Sequence, residues 1–132
     1  MTVEKLAAIL GKELDTETRV EGENVFFSFE GLELIATNLD AELVRIFSVV
    51  IDEDTPDVPD EDILRMVNAV SKEEPVAKCV FLTRDETGVY YRICVENRCN
   101  EKELERNVKN WCEIFVRAMM RFIVGLHQLA GK

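Results

Sequence analysis

The sequence predicts an α+β fold, an antiparallel sheet packed against helices within a single domain spanning residues 1–132. Three observations lead there. Two regions alternate apolar and polar residues around short turns, so their consecutive strands pair as hairpins. Three stretches repeat apolar residues at three- and four-residue spacing, as helices with one buried face do. The 132-residue chain has no internal repeat, low-complexity tract or interdomain linker, so one core is expected. A chain of this size buries about 68% of its extended surface, enough for a core without metals or disulfides.

The first helix is expected over residues 3–14. Thr2 can cap it, and Val3, Leu6, Ala7, Leu10 and Leu14 share one face. The pattern ends in the polar run 15–19, read as a connection. Val25, Phe27 and Phe29 then alternate with polar residues as a strand, and Glu30-Gly31 makes a tight turn, because glycine tolerates positive φ. The return strand, 32–38, carries Leu32, Leu34 and Ala36 on one face. A second turn, 38–41, leads to a third strand, 43–51. It is apolar on both faces (Val44, Ile46 and Val50; Phe47, Val49 and Ile51), as a central strand should be.

Residues 52–59 read as a loop with two prolines and four acids. Asp60, Glu61 and Asp62 open a second helix, where carboxylates favour the positive end of the dipole. Its expected buried stripe is Ile63, Leu64, Val67 and Val70, and Pro75 forbids its continuation. A second hairpin follows, with strands near 76–83 and 89–97. Val76, Val80 and Leu82 are expected to meet Val89, Tyr91, Ile93 and Val95 in the core. Asn100 caps the last helix with Glu103 in capping-box position, and the helix runs over 101–129, about 43 Å at 1.5 Å per residue. The order is α-β-β-β-α-β-β-α.

This order is similar to the type III secretion chaperone-like fold, which includes the secretion chaperones and the bacterial YbjN family of candidate sensory transduction regulators. The resemblance covers nearly the whole chain. It rests on the short first helix ending near Leu14, the Phe-rich strand 25–29, the Glu30-Gly31 turn, and the segment Ile63-Leu64-Arg65-Met66-Val67-Asn68. The strand Lys78-Cys79-Val80-Phe81-Leu82 and the single long last helix complete it. The run from Asn68 through Pro75 to Lys78 looks more like the YbjN branch. The secretion chaperones are homodimers that hold extended client segments, so the resemblance implies protein binding. Neither branch implies an active site.

Composition narrows the partner. The 26 acids and 16 bases leave a net charge of −10, which repels nucleic acid and anionic membrane and favours a basic or amphipathic protein segment. The N-terminus has no basic region followed by an apolar stretch, so no signal peptide is expected. No apolar run approaches the roughly 18 residues of a membrane span. A cytoplasmic location is therefore expected, with Cys79, Cys94, Cys99 and Cys112 reduced.

The residues that could carry chemistry form no constellation. His127 has no acid at i±3 or i±4, and its place near a helix C-terminus explains it without catalysis. The cysteines lack C-x-x-C spacing. Cys79 and Cys94 could face each other across the second hairpin, but such thiols usually pack as small hydrophobes. Residues 52–62 hold seven carboxylates, Asp52, Glu53, Asp54, Asp57, Asp60, Glu61 and Asp62, and begin like a calcium loop. Pro56 then stands where the third ligand belongs, and no glycine makes the turn. Ser28, Ser48 and Ser71 lie in no nucleophile motif, and the glycines are isolated rather than gathered in a phosphate loop. No enzyme, cofactor or metal site is expected.

The last helix says most. Leu104, Val108, Trp111, Phe115, Ala118, Phe122 and Leu129 follow alternating four-three spacing, with Gly125 interrupting, and Cys112, Met119 and Leu126 widen the stripe. Ile114, Val116, Met120, Ile123 and Val124 lie off it. A helix apolar nearly all round must be covered on more than one side, by its own domain or by another chain. The expectation is a non-enzymatic, homodimeric protein-binding module, chaperone-like or regulatory, that contacts its partner through Val116, Met120 and Ile123. The alternative is a regulatory domain that senses a small ligand or divalent metal through the acidic loop 52–62.

Overall fold

The computed structural model describes residues 1–40, 42–52, 58–73 and 77–131. Three helices and six strands follow in the order α1 (Val3–Leu14), β1 (Thr18–Glu21), β2 (Asn24–Phe29), β3 (Leu32–Asn38), β4 (Leu43–Asp52), α2 (Asp60–Glu73), β5 (Ala77–Asp85), β6 (Gly88–Arg98) and α3 (Glu101–Ala130). The strands hydrogen-bond in the order β1-β2-β3-β4-β6-β5, so the doubly apolar β4 is central as expected and β1 and β5 are the edges. The fold is α+β. Every expected element forms, and β1 is one strand more than the sequence pattern announced.

The residues group into two compact units, Met1–Ser48 with Val95–Glu113, and Val49–Cys94 with Ile114–Lys132. In the first, Thr2 caps α1 by accepting a hydrogen bond from the Lys5 amide at 3.1 Å. The helix packs on β1, β2 and β3. Registers Val25↔Ala36, Phe27↔Leu34 and Ala36↔Ile46 set one apolar face across three strands, and all of these side chains are buried. Leu6 and Leu10 of α1 and Leu104, Val108 and Cys112 of α3 are fully buried in the same unit. Each large aliphatic side chain so buried is worth about 1.5–3 kcal/mol.

Turn chemistry fixes the register. Glu30 and Gly31 both take positive φ, 50° and 81°, the two-residue geometry whose twist matches a hairpin. Asp40 Oδ1 accepts the amides of Glu42 and Leu43 at 2.9 and 3.0 Å, and these bonds hold its carboxyl below the usual range. Between β4 and β6, the Cys99 amide donates to the Glu42 carbonyl at 2.6 Å, and the Arg45 guanidinium pairs with the Glu96 carboxylate. The contacts step three residues forward along one strand and three back along the other, as an antiparallel pair must.

The unannounced strand β1 begins within the polar run 15–19 and extends past it to Glu21. It pairs antiparallel with β2 from Thr18↔Phe27 to Glu21↔Asn24. Arg19 and Glu21 are exposed and Val20 is 41% exposed, so β1 has no buried alternation to read. Backbone pairing and the Arg19 guanidinium, 4.8 Å above the Phe26 ring, hold it instead.

In the second unit α2 packs on β5. Ser71 Oγ accepts from the Cys79 amide at 2.9 Å and donates to the Cys79 carbonyl at 3.2 Å, tying helix to strand. Tyr91 of β6 and Phe122 of α3 lie with ring centroids 4.1 Å apart. Arg84 pairs with Asp60 at 2.9 Å and donates to the Val58 carbonyl, which anchors the start of α2.

Several core assignments change. Leu64 is 49% exposed, because it stands about 100° round the helix from Ile63 and beyond the edge of the Ile63–Val67–Val70 stripe. Leu82 is 45% exposed because β5 buries Ala77 and Cys79, and the alternation of side chains along the strand turns Leu82 to the other face. Trp111 and Leu129 are half-buried, whereas Ile9, left out of the expected α1 face, is buried. The expected roles of Val76 and Pro75 lie outside the described residues, as does the part of the acidic loop holding Glu53, Asp54, Pro56 and Asp57.

Candidate functional site

The capping box at the start of α3 forms as the sequence requires. The Glu103 amide donates to Asn100 Oδ1 at 2.9 Å, and the Asn100 amide donates to Glu103 Oε1 at 3.2 Å. From there the helix changes character. In its first turns the fully buried residues are Leu104, Val108 and Cys112, and the residues between them are polar or charged and mostly exposed, apart from the half-buried Trp111. Beyond Glu113, Phe115, Ala118, Phe122 and Leu126 are fully buried, yet Met120 and Val124 are 50% and 49% exposed.

These two side chains wall a groove of about 450 Å³ between α2 and α3. Met66 and Val70 of α2 and Gly125 of α3 line its apolar part; Glu73, Arg117, Arg121 and Gln128 bring the polar groups. Arg121 bridges to Glu73 at 2.6 Å, joining the two helices. Gly125 is what lets them approach. A Cβ there would lie 1.7 Å from the Met66 methyl and 3.0 Å from its sulfur. The glycine that breaks the heptad spacing thus marks the contact with α2, a role the pattern could signal as an interruption but not explain.

Met120 is therefore the one expected contact residue that lines the groove. Val116 and Ile123 are half-buried on the adjoining flank of α3, about 100° and 80° round the helix from Phe115. Val124, which the sequence marked only as off-stripe, joins Met120 as the groove's other apolar wall. A half-buried apolar row also crosses the sheet face opposite the core in the first unit, where Phe26 pairs with Ile35 and Ile35 with Phe47. Sequence reasoning named Phe47 there only as a second face of its strand.

The remaining candidates have structural surroundings. All four cysteines are buried free thiols. Burial pushes Cys79 up to about 12, with a smaller contribution from the neighbouring Cys94, and burial likewise pushes Cys112 up to about 12. Such thiols are protonated at neutral pH and are poor nucleophiles. His127 is exposed in the last turn of α3. Of the acidic segment, Asp60 pairs with Arg84, and Asp62 pairs with Arg65 at 3.3 Å. Among the described residues, no group of three or more His, Cys, Asp or Glu is placed to hold a metal, and no helix is long and apolar enough to cross a membrane.

No protein-family model matches the chain, and no curated protein matches its sequence. Its fold is nevertheless similar to solved structures over almost its whole length. One is the crystal structure of YbjN, a candidate transcription regulator from E. coli, at 13% identity and a TM-score of 0.64, covering 96% of this chain and 93% of that one. Another is an uncharacterized protein from Methanothermobacter thermautotrophicus, at 8% identity and a TM-score of 0.65, covering 97% of this chain and 98% of that one. At such identities the likeness is one of fold, and the fold is YbjN-like, as the order of elements suggested.

Proposed function

We propose that this YbjN-like fold is a non-enzymatic protein-binding module, regulatory or chaperone-like, that acts as a cytoplasmic homodimer. One observation carries the reading. On a helix whose opposite side is fully buried, Met120 and Val124 remain half-exposed, with Val116 and Ile123 half-buried beside them. Full burial of such side chains is worth about 1.5–3 kcal/mol each. An uncovered row forgoes much of that, and contiguous apolar surface of this kind marks contact sites more often than accident. The proposed contact residues are Val116, Met120 and Ile123, together with Val124, which lines the groove beside Met120.

The regulator described for the E. coli neighbour is compatible with a binding role and offers no enzyme to compare. The rival reading, ligand or metal sensing through 52–62, draws no support from the described part of that segment, where Asp60 and Asp62 are engaged by arginines.

The test is Met120→Glu, read by light scattering and circular dichroism over a concentration series. The expected result is an unchanged helical spectrum with loss of self-association. A wild-type chain that stays monomeric at high concentration would remove the homodimer from the proposal. A variant that unfolds would place Met120 in the chain's own core.

A further inference from the structure

We infer that the groove between α2 and α3 receives an amphipathic helix whose apolar face is flanked by carboxylates. The inference rests on the protein-binding reading and adds the chemistry of the partner. The apolar part of the groove contains Met66 and Met120, unbranched thioethers that adapt to an incoming side chain, together with Val70, Val124 and the bare backbone of Gly125. At about 450 Å³ it accepts a few anchoring side chains from one face of a docked helix. The groove is open to solvent and is walled by two helices, as sites of helix-in-groove recognition are.

Charge selects the partner. Arg117 and Arg121 stand one turn apart on α3, and both line the groove. Their spacing matches carboxylates one turn apart on a docking helix. Guanidinium groups bind carboxylates through paired donors, so each can take a ligand oxygen while keeping a second partner. The Arg121–Glu73 bridge leaves both side chains accessible, at 44% and 60% exposure, and an exposed bridge of this kind is worth only about 0–1 kcal/mol. A partner carboxylate can therefore share Arg121 at little cost. The net charge of −10 opposes an acidic ligand from a distance. At physiological salt, however, charges more than about 8 Å away are largely screened, whereas the two arginines act at contact.

The experiment uses the full chain and two fluorescein-labelled helical peptides of about 18 residues, long enough to be partly helical alone. Both carry the same leucine and alanine face; one has glutamates flanking it and the other lysines. The expected result is that the glutamate peptide binds at least about tenfold more tightly, and that Arg117→Gln with Arg121→Gln removes the preference while the circular dichroism spectrum is unchanged. Equal binding, or preference for the lysine peptide, overturns the acidic-partner inference and leaves the protein-binding reading standing. If neither peptide binds and Met120→Glu leaves self-association intact, both fail. If neither binds because a second copy fills the groove, the peptides are offered to the Ile123→Glu monomer, whose groove lining is unchanged, and absence of a glutamate preference there also overturns the inference.

Discussion

The two halves of α3 solve the same problem differently. From Glu101 to Glu113 the helix buries Leu104, Val108 and Cys112 on one side and gives most of the rest to charge, with Lys102, Glu103, Glu105, Arg106 and Lys109 all exposed. From Ile114 onward it buries Phe115, Ala118, Phe122 and Leu126 just as completely, then adds Met120, Val124, Val116 and Ile123 where the first half would place charges. Core packing explains the first half entirely and the second only in part. The difference teaches where to look: surplus apolarity, judged against a neighbouring stretch of the same helix, singles out side chains that core packing leaves unexplained.

The comparison requires that the buried stripes be equivalent. Phe122 is fully buried against Tyr91, so Phe122→Ala should cost about 3–5 kcal/mol, and Leu104→Ala in the first half about 2–5 kcal/mol. Against a total stability of about 5–15 kcal/mol, either change should lower the urea midpoint sharply. A cost below about 1 kcal/mol for Phe122→Ala would mean that the second half does not belong to a packed core, and the contrast would collapse.

The buried thiols test the same equivalence by pH. Cys112, in the first half, and Cys79, in the second unit, both lie near 12 in the folded chain against an ordinary value of 9.0. The unfolded chain then releases these protons first as pH rises. Folded stability should therefore be whole below about pH 9 and decline between 9 and 12. Thiol counting under denaturing, non-reducing conditions should find four free thiols, and alkylation of the native chain at pH 7 should be slow. Rapid native labelling of Cys112, or a Cys79–Cys94 disulfide, would contradict this packing.

The helix start offers a smaller effect. Asn100→Ala removes one side of the reciprocal cap and should cost about 1 kcal/mol by thermal melting. An unchanged melting temperature would show that tertiary contacts alone hold the first turn.

What the sequence revealed follows the same division between buried patterns and edges. Val25, Phe27 and Phe29 alternate because one face is buried, and the turn at Glu30-Gly31 needs positive φ, so β2 and β3 were legible. The edge strand β1 was not, since Arg19, Val20 and Glu21 face solvent and its pairing is made by the backbone, which leaves no mark on residue type. Leu64 and Leu82 misled for the converse reason, as apolar residues on exposed positions. Of the candidate site, Met120 was legible as an off-stripe residue. The groove itself was not, because Met66, Val70 and Glu73 belong to another helix and only the fold brings them beside Val124 and Arg121.

At the groove wall the two halves can be made alike. Met120 is 50% exposed, so Met120→Glu should change stability by less than about 0.5 kcal/mol in the urea midpoint while abolishing self-association. Ile123→Glu, at a half-buried position, should cost more stability for the same loss of association. If both variants associate as the wild type does, the surplus apolarity has no binding role.

The smallest thermodynamic effect is expected at Gly125. Alanine is about 1 kcal/mol better than glycine inside a helix, so substitution should stabilise α3 if nothing else changed. Here the new methyl would lie 1.7 Å from the Met66 methyl, which must move. That atom is the far end of a flexible side chain, so it can rotate away; the sulfur at 3.0 Å follows with it. The helix gain and the repacking cost oppose each other, and Gly125→Ala should leave the melting temperature within a few degrees of wild type. Met66 lines the groove, so a shift of its side chain into that space should make the variant bind the glutamate peptide more weakly while Arg117 and Arg121 stay in place. A melting temperature raised as far as the helix gain alone predicts, with peptide binding intact, would mean that Met66 is not held against Gly125. The groove would then be wider than the α2–α3 contact implies.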